Sequence, residues 1–406
     1  MTTSVVVTGI GVVAPTGTTA AEFWAATLDR RHGIRGMADV VDARYPVALA
    51  GRVAGFDSRV GELPLRFLPQ TDVSTRYALV AAAEALDDAA VDPTLRAEYR
   101  AGVVTANSSG GAAYIHDDFR RLWAQGPREV SVYGSIAWFY AVNTGQISIL
   151  NGLRGAGGTV SAEQAGGLDA LGDARRLVRA GTRLVVCGGV DSAFDSWGWL
   201  AHQTSGRASK ANRPDRAFLP FDSAANGHVP GEGGAFLVLE DHREARDRGQ
   251  AAYGEIAGYA ATFDPRDGTG RPPGLRRAAE LALDDAGLTA RDVDAVFADA
   301  AGVPRFDAEE ADVVRGMFGR NGVPVAVPKS GTGRLLSGGG PLDVVAALLT
   351  IRDQVLPPAV HTTDVPAEYG IDVVLGTPRP GRVDVALVLA RGKGGFNSAV
   401  VVRGVG

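Results

Sequence analysis

The chain has 406 residues, of which 45% are hydrophobic and 21% charged, with a formal net charge of −5. At about 100–200 residues per structural unit, this length allows two or three units around a large buried core. The mild acidity gives nucleic-acid binding no electrostatic support. No apolar run approaches the roughly 18 residues of a membrane span, and Met1 to Gly9 lacks the basic and apolar stretches of an export signal, so a cytoplasmic protein is expected.

Cys187 is the only cysteine, and the six histidines (His32, His116, His202, His228, His242, His361) show no ligand spacing. Neither a disulfide nor a metal site is therefore expected. In chain order, β-branched runs at Ser4 to Thr8, Ala101 to Thr105, Arg183 to Val190 and Ala235 to Glu240 alternate with alanine-rich helical stretches at Arg76 to Val91 and Asp169 to Arg179. The last third repeats this grammar with a helix from Leu275 to Ala286 stopped by Gly287, a strand from Val293 to Asp299, a helix from Pro341 to Ile351 and a strand from Val383 to Ala390. The alternation predicts an α/β architecture.

Two echoes point to an internal duplication. Leu86-Asp87-Asp88-Ala89-Ala90-Val91 returns as Leu283-Asp284-Asp285-Ala286-Gly287-Leu288, and Gly167-Leu168-Asp169-Ala170-Leu171 returns more loosely as Gly340-Pro341-Leu342-Asp343-Val344-Val345. The expected halves are residues 1–250 and 251–406. The opening Gly9-Ile10-Gly11-Val12-Val13-Ala14 imitates a dinucleotide fingerprint, but Pro15-Thr16-Gly17 prolongs the turn and helix signals begin only near Ala20. A fingerprint helix must start inside the glycine motif to meet the pyrophosphate, so the imitation is poor.

The informative stretch runs from Gly158 to Leu171: a strand-like run, a tight turn and a helix, with Gln164 on the turn. A helix N-terminus suits a nucleophile, because its free N–H groups lower a thiol pKa and hold an oxyanion. An amide offers no ionisable group there. Cys187 lies inside the apolar run Leu184 to Gly189 and reads as a buried, inert thiol.

In Ala162-Glu163-Gln164-Ala165-Gly166-Gly167-Leu168-Asp169-Ala170 the sequence resembles the β-ketoacyl synthases of the thiolase superfamily, and among them the chain length factors of type II polyketide synthases. Further matches are Ala137 to Gln146, Cys187 to Ser192, Trp197-Gly198-Trp199, Leu219-Pro220-Phe221-Asp222, Gly231 to Ala235 and Gly394 to Ala399, so the resemblance covers nearly the whole chain. It implies a thiolase-like fold of two duplicated halves, each with a mixed five-stranded sheet, in a layered α-β-α-β-α arrangement. Condensing enzymes of this family carry a cysteine where Gln164 stands and two histidines where Ala301 and Arg334 stand. Those histidines donate hydrogen bonds and move protons around a thioester carbonyl. Arginine stays protonated and does neither on demand. Lys329, in Lys329-Ser330-Gly331-Thr332-Gly333, reads equally as an ion-pair anchor or a ligand group, and His228 as structural or solvent-facing.

From Gly110 to Trp123, Ala112, Ile115, Phe119 and Leu122 share one helical face, while Asp117, Asp118, Arg120 and Arg121 fall largely on the other. By pattern alone this is a helix packed on a core, and Trp197 and the cluster Trp138, Phe139 and Tyr140 read equally as ordinary core aromatics. The resemblance implies instead that Ala112, Ile115 and Phe119 gate a tunnel, that Trp197 forms a second wall, and that Trp138 and Phe139 lie near a subunit interface. The implied function is a non-condensing subunit that pairs with a ketosynthase α subunit and shapes the tunnel for a growing poly-β-ketone. No cofactor is bound directly, since phosphopantetheine arrives on an acyl carrier protein. One alternative is a malonyl-carrier-protein decarboxylase that supplies starter units through Gln164; another is a purely structural partner of the ketosynthase.

Overall fold

The protein is described here by a computed structural model covering residues 3–40, 45–91, 99–266 and 268–405. Five strands of the main sheet come from the N-terminal half: β1 (Val5–Val13), β2 (Ala101–Ala106), β3 (Gly157–Val160), β4 (Leu184–Asp191) and β5 (Gly233–Asp241). They pair in the order β1-β5-β4-β2-β3, the first two contacts antiparallel and the last two parallel. To the same sheet the C-terminal half supplies β6 (Gly254–Phe263), β7 (Ala295–Phe297), β8 (Pro324–Ala326), β9 (Asp372–Val373), β10 (Val385–Gly392) and β11 (Phe396–Arg403). Their order, β6-β11-β10-β7-β8-β9, repeats the same plan with the same strand directions.

The expectation of five strands in each half needs correcting. The two-residue β9 adds a sixth strand at the C-terminal edge, and the pairs Val6–Glu255 and Val7–Gly254 join the halves into one 11-stranded sheet.

The helices that matter here are α1 (Val73–Asp88), α2 (Ala112–Gln125), α3 (Val142–Asn151), α4 (Gly166–Arg179), α5 (Ser196–Thr204), α6 (Leu275–Ala286), α7 (Pro304–Phe318) and α8 (Gly339–Asp353). Three cores separate the layers. Leu79 and Leu86 of α1 pack on Val186 and Phe236; Leu168 and Leu171 of α4 with Val344 and Leu348 of α8 fill the centre; Ala279 of α6 and Val314 of α7 pack on Leu387 and Val401. This gives the expected α-β-α-β-α stack. Covered on both faces, β1 is buried at all nine positions, which is why it reads as a continuous apolar run rather than an alternation. The central α8 is buried from Gly339 to Ile351, and so shows no polar face.

The duplication is visible atom by atom. A Cβ on Gly9 of β1 would collide with Ala85 O of α1, and one on Gly258 of β6 would collide with Ala282 O of α6. The next residue in each strand donates its N–H to the second aspartate of the repeated Leu-Asp-Asp-Ala: Ile10 to Asp88 at 2.9 Å and Tyr259 to Asp285 at 3.0 Å. The second echo meets at the centre, where a Cβ on Gly167 would overlap Pro341 and Ser337. The dinucleotide imitation fails as expected, because Ala14 and Gly17 close a tight turn and the first helix starts at Ala20, capped by Thr19.

Candidate functional site

Loops that follow β2, β3, β4, β7 and β10 converge on one cavity of about 410 Å³, as expected for the carboxyl ends of parallel strands. A buried carboxylate holds the surrounding loops together. Asp191 accepts hydrogen bonds from the N–H groups of Ser108, Ser109 and Ser337, tying three loops together, and burial raises its pKa.

Gln164 lies in a single turn of 3₁₀ helix, Glu163–Ala165, that leads directly into α4. Glu163 holds the left-handed φ of 50° required by so sharp an entry, and its carboxylate accepts the N–H groups of Gln164 and Lys393. The Gln164 side chain points inward against Gly339, is 1% exposed, and neither its Oε1 nor its Nε2 has a hydrogen-bond partner. A thiol on this turn would be aimed and activated; the amide does neither. Cys187 is fully buried in β4 and burial pushes its thiol pKa well up, so it is no substitute nucleophile.

Ala301 and Arg334 both line the cavity, with Ala112 and Trp197. Arg334 is spent on structure. Its Nη1 and Nη2 each donate to one carboxylate oxygen of Asp299 at 3.1 Å, and also to the carbonyls of Asp299 and Arg391. Burial works to raise the Asp299 pKa, but Arg334, Lys329 and Arg391 together outweigh it and hold the carboxyl below its usual value. Lys329 is likewise an anchor: its Nζ lies 2.6 Å from the buried Asp343 and 2.5 Å from Ala298 O.

The structure adds two side chains that the sequence pattern did not assign. His202 and His228 both line the cavity, which corrects the reading of His228 as structural or solvent-facing. Burial lowers His202 to about 4, while burial and then the adjacent Arg334 hold His228 well below the ordinary imidazole value. Both are neutral near pH 7. Both lie far from Gln164 in sequence, His202 on α5 and His228 on a loop, and no periodicity reports such a tertiary neighbour.

The core-packed alternative for α2 is corrected as well. Its one fully buried residue is Asp118, whereas Phe119 is 38% and Trp123 85% exposed. No residue of the amphipathic face is fully buried within this chain: Ala112, Ile115 and Leu122 are half-buried and Phe119 is exposed. Ala112 touches the cavity; Ile115 and Phe119 do not, but the Phe119 ring lies 5.5 Å from that of Trp197, tilted by 41°, and Trp197 does. Trp197 is half exposed and is no core tryptophan. Trp138 and Phe139 are each 44% exposed, in contact at 5.8 Å. Gly111 N–H donates to Trp138 O, which ties this exposed segment to the start of α2. Asp72 fixes the same corner, capping α1 through Ser74 N–H and α2 through Tyr114 N–H. Among the described residues, no group of three or more histidine, cysteine or acidic side chains is placed to hold a metal ion, and no helix is long and apolar enough to cross a membrane.

The layered duplicated fold and a strand-to-helix turn aimed at a cavity define the thiolase-like condensing enzymes. The profile of the β-ketoacyl synthase N-terminal domain matches residues 2–245, and that of the C-terminal domain residues 253–363. The chain belongs to the β-ketoacyl synthase family. It is 59% identical to the actinorhodin polyketide β-ketoacyl synthase 2 of Streptomyces coelicolor and 52% identical to the tetracenomycin polyketide synthase ketoacyl synthase β subunit of Streptomyces glaucescens, with 98% of each chain covered in both comparisons. Among solved structures it resembles a type II polyketide synthase acyl carrier protein in complex with its ketosynthase bound to the hexaketide, with TM-score 0.88, 25% identity and full coverage of both chains.

Proposed function

We propose that this chain is the non-condensing subunit of a type II polyketide ketosynthase heterodimer and shapes the tunnel that limits chain length. One observation carries the reading: the scaffold of a condensing site persists around a 410 Å³ cavity while Gln164, Ala301 and Arg334 occupy its three chemical positions. A decarboxylase would need donors aimed at a developing enolate. The amide of Gln164 is turned away against Gly339, and the guanidinium of Arg334 is committed to Asp299.

The second half of the proposal concerns the exposed apolar face. Phe119, Trp123, Ile136, Trp138, Phe139 and Ile149 are all exposed on contiguous segments, with β3 at the adjacent edge of the sheet. Such a concentration of large apolar side chains marks a protein interface. Its occupant in this reading is a ketosynthase α subunit that supplies cysteine and histidines, visited by an acyl carrier protein whose phosphopantetheine delivers the growing poly-β-ketone. Co-expression with the ketosynthase of the same pathway tests this pairing. The two subunits should co-elute as a 1:1 complex, and this chain alone should aggregate or form weak homodimers. A stable monomer alone, with no complex after co-expression, would overturn the proposal.

A further inference from the structure

The wall residue Trp197 has little to hold it. Half of its surface is free, and it stands between the cavity and the outward face of α2, touching both. An indole so exposed can turn to another rotamer unless a neighbour holds it, and each rotamer would give the passage a different bore.

What packs behind it is His116. This residue lies on α2 between Ile115 and Phe119, with its imidazole 5.0 Å from the Trp197 ring and tilted by 56°. Its side chain is 16% exposed, far more enclosed than the indole it supports. The helix carrying Trp197 is fixed from the same side: Asp195 caps α5, accepting from Trp197 N–H at 2.9 Å and Gly198 N–H at 3.3 Å. The accepting oxygen lies 3.7 Å from His116 Nδ1. That nitrogen is buried and has no hydrogen-bond partner. His116 thus meets both the ring of Trp197 and the cap that fixes its backbone, without entering the cavity wall itself.

We propose that His116 is a positioning residue for chain length, holding the Trp197 indole against Phe119 through its ring. This inference rests on the tunnel reading above and goes beyond it by assigning a specificity role to a side chain outside the lumen. Histidine serves here as a flat aromatic body, so phenylalanine should replace it and an amide of similar reach should not. An aromatic contact shifts a two-state equilibrium by roughly two- to tenfold. The ratio of longer to parental product should rise by about that factor when the ring is removed.

The experiment compares His116→Ala, His116→Gln and His116→Phe, each in complex with the ketosynthase and supplied with carrier protein, with product masses as the readout. Trp197→Ala runs beside them, and His116→Leu stands in for His116→Ala should the latter fail to pair. The expected result is longer product from His116→Ala (or Leu), His116→Gln and Trp197→Ala, with the parental distribution restored in His116→Phe. Lengthening by Trp197→Ala without any change in His116→Ala or Leu would overturn this inference and leave the tunnel reading standing. No change from Trp197→Ala together with none from the ring-removing variants would overturn both. Equal lengthening by His116→Phe and His116→Gln would show that the ring is not what positions the indole, and would also overturn the inference.

Discussion

Replacing Arg334 tests whether this side chain is now structural rather than chemical. Its guanidinium makes two 3.1 Å contacts with the carboxylate of Asp299, and both partners are buried. Arg334→Ala leaves Asp299 with the Arg391 N–H and more distant cations. Stranding one member of a buried pair costs about 3–5 kcal/mol. Unfolding entropy near 2.1 cal/mol/K per residue turns this into a fall of about 4–6 °C in melting temperature for a chain of this length.

The pH dependence carries the sharper signature. In the native protein the depressed Asp299 pKa contributes stability above its unfolded value of 3.8, lost as pH falls through the lower folded value. In Arg334→Ala burial is less opposed, the carboxyl pKa rises, and protonation in mild acid relieves the penalty. Thermal melts of the purified complex near pH 8 and near pH 5 should show the larger deficit at the higher pH. Adding Asp299→Asn should recover part of it. A variant within about 1 °C of the parent at both pH values would refute the reasoning, because no stranded charge would then exist.

Gln164→Cys should be acylated at most and should not condense, since Ala301 and Arg334 supply no proton-transfer pair; carbon–carbon bond formation by this variant, paired with a ketosynthase lacking its own nucleophile, would contradict this. Gly167→Ala places a methyl into Pro341 and Ser337 at the contact between α4 and α8, and should lower the yield of folded complex strongly, as read by soluble expression and melting. Burial raises Asp307 to about 7, so the folded state holds a proton there that the unfolded chain releases near 3.8. Its contribution to stability therefore declines as pH rises through that window. Asp307→Asn should gain melting temperature relative to the parent between about pH 5 and pH 8, and a constant difference would reject the assignment.

Much of the fold was legible because its determinants are local. The helix Leu275–Ala286 ends at Gly287, which takes the left-handed φ of 69°, where the sequence places the stop. The first strand runs on to Val13, past the expected Thr8, because Gly9 and Gly11 are there to admit α1 rather than to end the strand. The repeated Leu-Asp-Asp-Ala announced the duplication because each copy makes the same backbone contact. Strand count was less legible, since β9 is only two residues long and the seam between halves is a two-residue pairing.

At the site, Gln164, Ala301 and Arg334 were placed by motif. Their commitments were not: the bidentate hold of Arg334 on Asp299 depends on side-chain direction, which no spacing reports. His202, in the last turn of α5, and His228, on a loop, reach the cavity from segments remote in sequence. The face of α2 shows a further limit. Periodicity identifies which residues share a side, but not whether that side meets the chain's own core or another protein.

Chain length is tested most directly at Ala112 and Phe119. A bulky residue at Ala112 should narrow the cavity, whereas loss of the Phe119 ring removes a partner of Trp197. Overpacking of a filled core costs about 1–3 kcal/mol and would show as lower yield, so melts accompany the product analysis. Mass spectrometry of polyketides from the reconstituted pair should give shorter products for Ala112→Phe and longer ones for Phe119→Ala. Parental chain length from both variants, each folded and paired normally, would contradict the account.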